Sequence, residues 1–332
     1  MTDPKLLEAI GLRKSFIVGK TLMPGSGRSL QAVDGVDLVV RRGETLGLVG
    51  ESGSGKSTLG RCLTRLYDVS GGTLRFDGVD ITTLGARALR PIRRRMQMIF
   101  QDPSSSLNPQ RRVRDILAEP LSVHKIRSPR DIPARLAELM DIVGLPSAYL
   151  DRFPHEFSGG QRQRVGIARA LAMEPDLIVA DEPVSALDVS VQAQIVNLFA
   201  DLRDRLALTY VFIAHDLGVV RQVSTNVAIM YLGSIVETGP TEPVFDHPAH
   251  PYTQALISAI PVPKINAATR KSRVILQGEI PSPLNPPKGC KFVTRCPIAA
   301  DRCRAERPVL KPIGTTREVA CHFPSAIAPG SA

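Results

Sequence analysis

The chain has 332 residues, 43% hydrophobic and 22% charged, which suits a globular protein with one large domain and an appendage. Its apolar runs fall short of the roughly 18 residues that a membrane-spanning helix needs. The N-terminal residues lack the pattern of a secretory signal, and five cysteines do not indicate a disulfide framework, so we expect a cytosolic protein. The net charge of +10 would suit nucleic acid, an anionic membrane surface or an acidic partner.

The first 50 residues predict short strands, at 6–10, 32–40 and 44–49, with an exposed loop or hairpin over 19–29. Phe16 lies just before that loop. It could stack on an adenine ring, or it could pack as an ordinary aromatic residue.

A glycine-rich segment, Gly50–Ser57, follows the apolar run 46–49 and precedes a predicted helix over 58–66. Glycines let several backbone N–H groups point at one anion, and the helix dipole adds positive potential there. Lys56 would reach the β- and γ-phosphates of a nucleotide, and the Ser57 hydroxyl would ligate Mg²⁺. A flexible loop is the alternative, but the preceding strand and following helix favour binding of a nucleoside triphosphate.

The middle of the chain predicts a short hairpin at 73–76, a strand at 96–100 and a mostly helical insertion over 104–165. The segment Ser158–Gln161 then leads into another helix. Its serine and paired glycines fit either a plain helix cap or a second phosphate contact.

Two further buried strands are predicted to end in polar residues. The apolar run 177–180 is followed by Asp181 and Glu182, and the run 210–214 is followed by His215. Ligands of open α/β sheets bind at the carboxyl ends of the strands. Asp181 would hold Mg²⁺ and Glu182 would accept a proton from water, or both would cap a helix. His215 could contact the γ-phosphate or be a structural histidine.

These segments together resemble the ATP-binding-cassette (ABC) family. The resemblance rests on Gly50–Ser57, Gln101, Phe157–Gln161, Asp181–Glu182, Asp188 and His215. It covers residues 5–245, and Phe157 stands where the family usually has Leu. It implies the α/β fold of P-loop NTPases (RecA-like): a mostly parallel sheet, an antiparallel β subdomain, the helical insertion and a small Cys- and Pro-rich C-terminal extension over 246–332.

The resemblance also implies a mechanism. Two such ATPase domains would pack head to tail, with each ATP between the phosphate loop of one domain and the Ser158 segment of the other. Glu182 would be the general base, His215 would hold the γ-phosphate, and Gln101 would sense Mg²⁺ and couple the site to membrane subunits. The implied Mg²⁺ ligands are Ser57, Gln101 and Asp181. The implied nucleotide contacts are Phe16, Gly50, Glu51, Ser52, Gly53, Ser54, Gly55, Lys56, Ser57, Thr58, Ser158, Gly159, Gly160, Gln161 and Asp188.

Three segments narrow the resemblance to importers of oligopeptides and dipeptides: 100–109, 154–164 and 247–253. The alternatives are a related importer of nickel, glutathione or another small cargo, or an ATPase of the same family that serves an exporter. The resemblance implies an ATP-hydrolysing peripheral subunit on the cytoplasmic face of the inner membrane, with a second, different ATPase chain, two transmembrane permease subunits and a soluble substrate-binding protein. Nucleic acid is not expected as a partner. Soluble cassette ATPases that act on nucleic acid or ribosomes resemble fusions of two cassettes or carry long coiled-coil or zinc-hook insertions, whereas this sequence shows one cassette and neither insertion.

Four of the five cysteines lie near the C-terminus: Cys290, Cys296, Cys303 and Cys321. The region from residue 240 onward is rich in proline and predicts an extended appendage rather than more sheet. Four thiolates suit tetrahedral zinc or a four-iron cluster, although the close Cys-x2-Cys pairs of structural zinc sites are missing. The spacing resembles the cysteine motif of peptide-importer ATPases that carry a [4Fe-4S] cluster. A cluster, zinc and unliganded thiols all remain open at this point, and Cys62 is expected to be a core residue.

Overall fold

The computed structural model describes residues 4–19, 28–102, 106–260 and 276–324. The strands are β1 Lys5–Val18, β2 Arg28–Arg41, β3 Thr45–Val49, β4 Gly71–Phe76, β5 Val79–Asp80, β6 Met96–Ile99, β7 Leu177–Asp181, β8 Thr209–Ala214, β9 Asn226–Tyr231, β10 Ser234–Pro240, β11 Lys311–Ile313 and β12 Arg317–Val319. The α-helices are α1 Lys56–Leu63, α2 Ala86–Arg95, α3 Val113–Val123, α4 Ile132–Ile142, α5 Gly159–Leu171, α6 Val189–Leu206, α7 Leu217–Val223, α8 Thr241–Asp246, α9 Pro251–Ser258 and α10 Asp301–Ala305. Two 3₁₀ turns span Ser147–Asp151 and Pro154–Glu156.

The larger of the two sheets has eight strands in the order β11-β12-β10-β9-β3-β8-β7-β6. The run from β9 to β6 is parallel, and β10, β11 and β12 continue it in antiparallel pairings. Every residue of β3, β7 and β8 is buried. Strands covered on both faces read as continuous apolar runs, which is how β7 and β8 look in the sequence. The predicted α/β fold with a mostly parallel sheet is confirmed.

The smaller sheet is antiparallel, with the order β2-β1-β4-β5. Strands β1 and β2 are longer than predicted, because their pairing continues as far as Val18 opposite Arg28. Phe16 is therefore part of a strand. Most of the loop predicted over 19–29 lies outside the described residues.

Two hydrophobic cores lie on opposite faces of the large sheet. Along β7, Leu177 and Val179 join the core shared with the small sheet and α1, whereas Ile178 and Ala180 join the core shared with the helices. This division follows from the alternation of side chains along a strand. Cys62 on α1 is fully buried in the first core, as predicted, and burial raises the pKa of its thiol to about 11.

The described chain between β6 and β7 is helical, as predicted, and contains α3, α4 and α5. Phe157 is buried there and meets Tyr149 edge to face at 5.7 Å, so its larger ring fills the core of the helical insertion. None of the helices in the described ranges combines the length and apolarity that crossing a bilayer requires.

The prediction that the C-terminal region adds no further sheet is wrong. Strand β12 pairs with β10 and β11 pairs with β12, so the region extends the large sheet. Both strands have only three residues, and their charged and proline residues hide the alternation that would reveal a strand. The region is further anchored by buried Glu237 of β10, whose carboxylate accepts the backbone N–H groups of Ala249 and His250, each at 2.9 Å.

Candidate functional site

The carboxyl ends of three neighbouring strands bring the predicted polar residues together. Strand β3 pairs with β8 and β8 pairs with β7, with Val49 opposite Ala214 and Asp181 opposite Ile213. The glycine-rich loop, Glu182 and His215 follow these three ends directly. The sheet therefore places all three segments at one edge.

The glycine-rich loop wraps the start of α1, which begins at Lys56, two residues earlier than predicted. Gly55 has φ of +103°, and a Cβ there would come within 2.2 Å of the Ala32 carbonyl oxygen. A Cβ on Gly50 would come equally close to the Met230 carbonyl oxygen. Both positions therefore require glycine. The first N–H groups of α1 have no partner within the helix, so they can face an anion.

Lys56 is held on the inner side of this loop. Its side chain is buried, and Nζ donates to the carbonyl oxygens of Gly50 at 2.7 Å and Glu51 at 3.0 Å. Burial lowers the pKa of Lys56, while the carboxylates of Glu182, Asp181 and Glu51 oppose that change. The ammonium group thus lies among the acidic residues of the site.

Ser57 and Asp181 form an oxygen-rich pair. Ser57 Oγ donates to Asp181 Oδ1 at 2.8 Å, and Asp181 is only 2% exposed. Burial raises the pKa of the Asp181 carboxyl. A buried carboxylate beside a hydroxyl is the kind of ligand set that Mg²⁺ uses, because this cation takes oxygen ligands and is bound through one or two carboxylates together with phosphates. The residues therefore fit Mg²⁺.

The Glu182 carboxylate contacts the other two residues predicted to be catalytic, Gln101 and His215. Gln101 Nε2 donates to its Oε2 at 2.8 Å, and His215 Nδ1 lies 3.4 Å from the same oxygen. The backbone N–H of Glu182 donates to the Ile213 carbonyl oxygen at 2.9 Å. Glu182 has a φ of +47°, which is unusual for a residue with a side chain. The Glu182 carboxylate thereby contacts both Gln101 and His215.

The Ser158 segment caps the start of α5. Ser158 Oγ accepts the Gln161 N–H at 3.3 Å, and the Gln161 side chain accepts the Ser158 N–H at 3.0 Å, which together form a capping box on α5. Asp188 caps α6 by accepting the Val191 N–H at 2.9 Å, a bond that lowers its pKa. Among the described residues, no hydrogen bond joins 158–161 to the phosphate loop.

Phe16, on β1 of the smaller sheet, forms an aromatic pair with Tyr67. The two rings meet edge to face at 5.7 Å, and Lys14 Nζ lies 5.0 Å from the Phe16 centroid. Phe16 remains half-buried, so one part of its ring is accessible. Tyr67 was not identified from the sequence.

The four C-terminal cysteines line one cavity together with His250 and Phe292. All five cysteines of the chain lie in the described ranges, and none forms a disulfide. Burial raises the pKa of the Cys290 thiol to about 11 and also raises that of Cys296 and Cys321. In the part of the chain that the structure describes, no three His, Cys, Asp or Glu side chains are arranged to hold a metal ion. The predicted metal centre therefore has no ready-made site here.

Two residues that sequence reasoning missed touch the phosphate loop. Tyr252 and Arg295 both contact Glu51, from positions about 200 and 244 residues further along the chain. Separations of this size leave no local pattern in the sequence. Only the fold reveals these contacts.

A parallel sheet with a phosphate loop after one strand and an acidic pair after a nearby strand defines a nucleotide-hydrolysing protein of the P-loop class. The sequence matches the family model of ABC transporters over residues 33–185. Residues 236–303 match the model of the oligopeptide/dipeptide transporter C-terminal region.

Curated relatives match nearly the whole chain. The oligopeptide transport ATP-binding protein AppF of Bacillus subtilis (strain 168) is 48% identical over 319 residues, covering 96% of this chain and 97% of AppF. A putative peptide import ATP-binding protein of Brucella abortus (strain 2308) is 54% identical over 302 residues, covering 90% of this chain and 89% of the relative. The chain belongs to the ATP-binding proteins of ABC transporters, in the oligopeptide/dipeptide import family.

Solved structures give the same fold. The ATP-binding cassette MJ0796, in a dimeric post-hydrolysis state bound to ADP and Pi, has a TM-score of 0.63 and 28% identity, covering 71% of this chain and 99% of that one. The cbiO1 protein of Clostridium perfringens, part of the transporter complex cbiONQ, has a TM-score of 0.63 and 26% identity, covering 73% of this chain and 91% of that one. The predictions of an ABC ATPase and of peptide import as its task are confirmed.

Proposed function

We propose that this chain binds and hydrolyses ATP at the shared edge of β3, β7 and β8, as one of two ATPase subunits of a peptide importer. The convergence of Gln101 and His215 on the Glu182 carboxylate, beside the phosphate loop, carries the proposal. It brings a proton acceptor, an amide and an imidazole to the place where the terminal phosphate would lie.

The loop residues would bind the triphosphate. Backbone N–H groups between Gly50 and Thr58 would surround the phosphates, and Lys56 would exchange its carbonyl partners for phosphate oxygens. Ser57, Asp181 and Gln101 would hold Mg²⁺, which when bound neutralises charge on the phosphates. Phe16, beside Tyr67, would stack on the adenine ring.

Hydrolysis would begin at a water molecule held by Glu182. The carboxylate takes a proton from this water while the water oxygen attacks the γ-phosphorus. The bond from phosphorus to the bridging oxygen breaks, which yields ADP and inorganic phosphate. His215 would hold the γ-phosphate, and Gln101 would orient Glu182 through the 2.8 Å bond described above.

The Ser158 segment and Asp188 would act across a subunit interface. Ser158 is exposed at the N-terminus of α5, where backbone N–H groups and the helix dipole favour an anion. Among the described residues it makes no hydrogen bond to the phosphate loop of its own chain, which supports contact with ATP bound to a second ATPase subunit. That MJ0796 was solved as a dimer fits such a pairing.

The remaining assignments concern the whole transporter. The ATPase domain would span 5–245, with its helical subdomain at about 104–165, and the C-terminal extension 246–332. The subunit would dock on the cytoplasmic face of the inner membrane against two permease subunits, with a different ATPase chain as its mate and a substrate-binding protein on the other side.

The test is to isolate the intact transporter through an affinity tag on this chain and to identify the proteins that copurify. Hydrogen exchange of residues 158–161 is then measured with and without MgATP. We expect a second ATPase and two membrane subunits to copurify, and Ser158→Arg to abolish MgATP-dependent protection of 158–161 from hydrogen exchange. Ser147→Arg, at another exposed serine of the helical insertion, should leave that protection unchanged. Copurification of nucleic acid or ribosomes instead of membrane subunits would contradict the proposal.

The four C-terminal cysteines are further proposed to bind a [4Fe-4S] cluster. They share one cavity with apolar walls, although no three of them are arranged around a single ion. A four-iron cluster takes one thiolate on each iron, so its ligands stand further apart than those of one zinc ion. This ligand chemistry favours the cluster over zinc.

Anaerobic purification checks this assignment. We expect a brown protein with about four iron and four sulfide per chain, by the stoichiometry of the cluster. Cys303→Ala should remove the iron, whereas Cys62→Ala, at the buried cysteine of α1, should retain it. Zinc alone, or no metal in the wild-type protein, would reject the cluster.

A further inference from the structure

The C-terminal region contacts the phosphate loop through one fully engaged ion pair. Arg295 Nη1 donates to Glu51 Oε2 at 2.7 Å, and Nη2 donates to Glu51 Oε1 at 3.0 Å. The Arg295 side chain is only 8% exposed and that of Glu51 26%. A bidentate pair with this burial is geometrically specific and is weakly screened by salt.

Glu51 is held at its main chain as well. Its backbone N–H donates to the Tyr252 hydroxyl at 2.9 Å, and its carbonyl oxygen accepts Lys56 Nζ at 3.0 Å. Glu51 thus connects α9 and the turn at 291–295, which carries Arg295, to the lysine of the phosphate loop. A shift of Glu51 would move a partner of Lys56 directly.

The turn that carries Arg295 is itself anchored to the ATPase core. The Arg295 N–H donates to the Phe292 carbonyl at 3.0 Å, and Phe292 packs on Tyr231 and Tyr252 at 5.3 and 5.5 Å. Lys291 Nζ donates to the Leu232 carbonyl at 2.6 Å and pairs with Asp34 at 2.9 Å. Arg295 is therefore presented by a fixed support and not by a free surface arm.

The ion pair also sets the charge at the rim of the loop. An unpaired Glu51 carboxylate would repel a triphosphate bound a few residues away, because like charges in a partly buried site are poorly screened. The Arg295 guanidinium compensates that charge. Arg295 thus has both a geometric and an electrostatic route to the nucleotide.

We infer that Arg295 is a positioning residue for nucleotide binding, which acts on the phosphate loop through Glu51. The inference rests on the proposed function of that loop. It assigns to the C-terminal region a direct part in setting the affinity for MgATP.

Isothermal titration of the purified chain with MgATP tests the inference. For Arg295→Gln we expect the Kd to rise roughly tenfold, within the range of measured couplings between sites. In a phosphate-release assay of the intact transporter, the KM for ATP should rise in parallel while kcat changes less than about twofold. Arg302→Gln is the matched control, because Arg302 lies in the same region and pairs with Glu306 at the surface. That variant should bind MgATP like the wild type.

Two further variants separate positioning from a general loss of structure. Arg295→Lys keeps the charge but not the two-point contact with Glu51, so it should recover only part of the affinity. The double variant Arg295→Gln/Glu51→Gln should bind MgATP more tightly than Arg295→Gln alone, because the repelling carboxylate is gone; a purely structural role predicts weaker binding. Equal Kd values for wild type and Arg295→Gln would overturn the inference, whereas a wild-type chain that binds no MgATP would instead contradict the proposed function.

Discussion

Replacing Glu182 with Gln is expected to lower the ATP turnover number about 10³-fold while MgATP still binds, because general-base catalysis contributes roughly 10²- to 10⁴-fold. The amide keeps the size of the carboxylate and can still accept the Gln101 N–H bond, but it cannot take a proton from water. The loss corresponds to about 4 kcal/mol of transition-state stabilisation. Phosphate release measures turnover, and isothermal titration measures binding.

The matched control for this variant is Glu138→Gln. Glu138 is an exposed carboxylate of α4 that pairs with Arg135, away from the strand ends. Its replacement should leave turnover within about twofold, since exposed ion pairs contribute 0–1 kcal/mol. Turnover by Glu182→Gln at the wild-type rate would remove Glu182 from the role of base.

Replacing Lys56 with Ala is expected to weaken MgATP binding about 100-fold, or about 2.7 kcal/mol. The ammonium is the buried cation of the loop, and charge-assisted hydrogen bonds to phosphate are among the strong ones. Isothermal titration gives the Kd, and thermal unfolding without nucleotide shows whether the loop stays folded once the Gly50 and Glu51 carbonyls lose their donor.

Lys311→Ala provides the comparison for this second prediction. Lys311 is exposed on the edge strand β11, so its loss removes the same charge without touching the loop. We expect its Kd for MgATP to match the wild type. Tight binding by Lys56→Ala would mean that the loop does not hold the phosphates.

The central architecture could be predicted because its signals are local. Strands β7 and β8 are buried on both faces and therefore appear as unbroken apolar runs, each ending in the polar residues of the site. The phosphate loop is equally local, since glycine is required at Gly50 and Gly55 by close backbone approach. Parallel pairing then aligns these ends without any further information from the sequence.

The contacts of the C-terminal region could not be predicted in this way. Arg295 and Glu51 are 244 positions apart, and neither residue type alone indicates a partner. Strands β11 and β12 are too short and too polar to show a period of two. Cys290, Cys296, Cys303 and Cys321 could be recognised as a set, but their common cavity depends on the turn anchored by Phe292 and Lys291.

Glu182 sits in a left-handed backbone conformation, which costs a residue with a side chain roughly 1–2 kcal/mol and which glycine adopts freely. Replacing Glu182 with Gly would relieve this strain only by giving up the carboxylate and its hydrogen bond to Gln101. The strained conformation is therefore tied to the catalytic side chain, and engineering this subunit for stability has to measure ATP turnover as well as thermal unfolding.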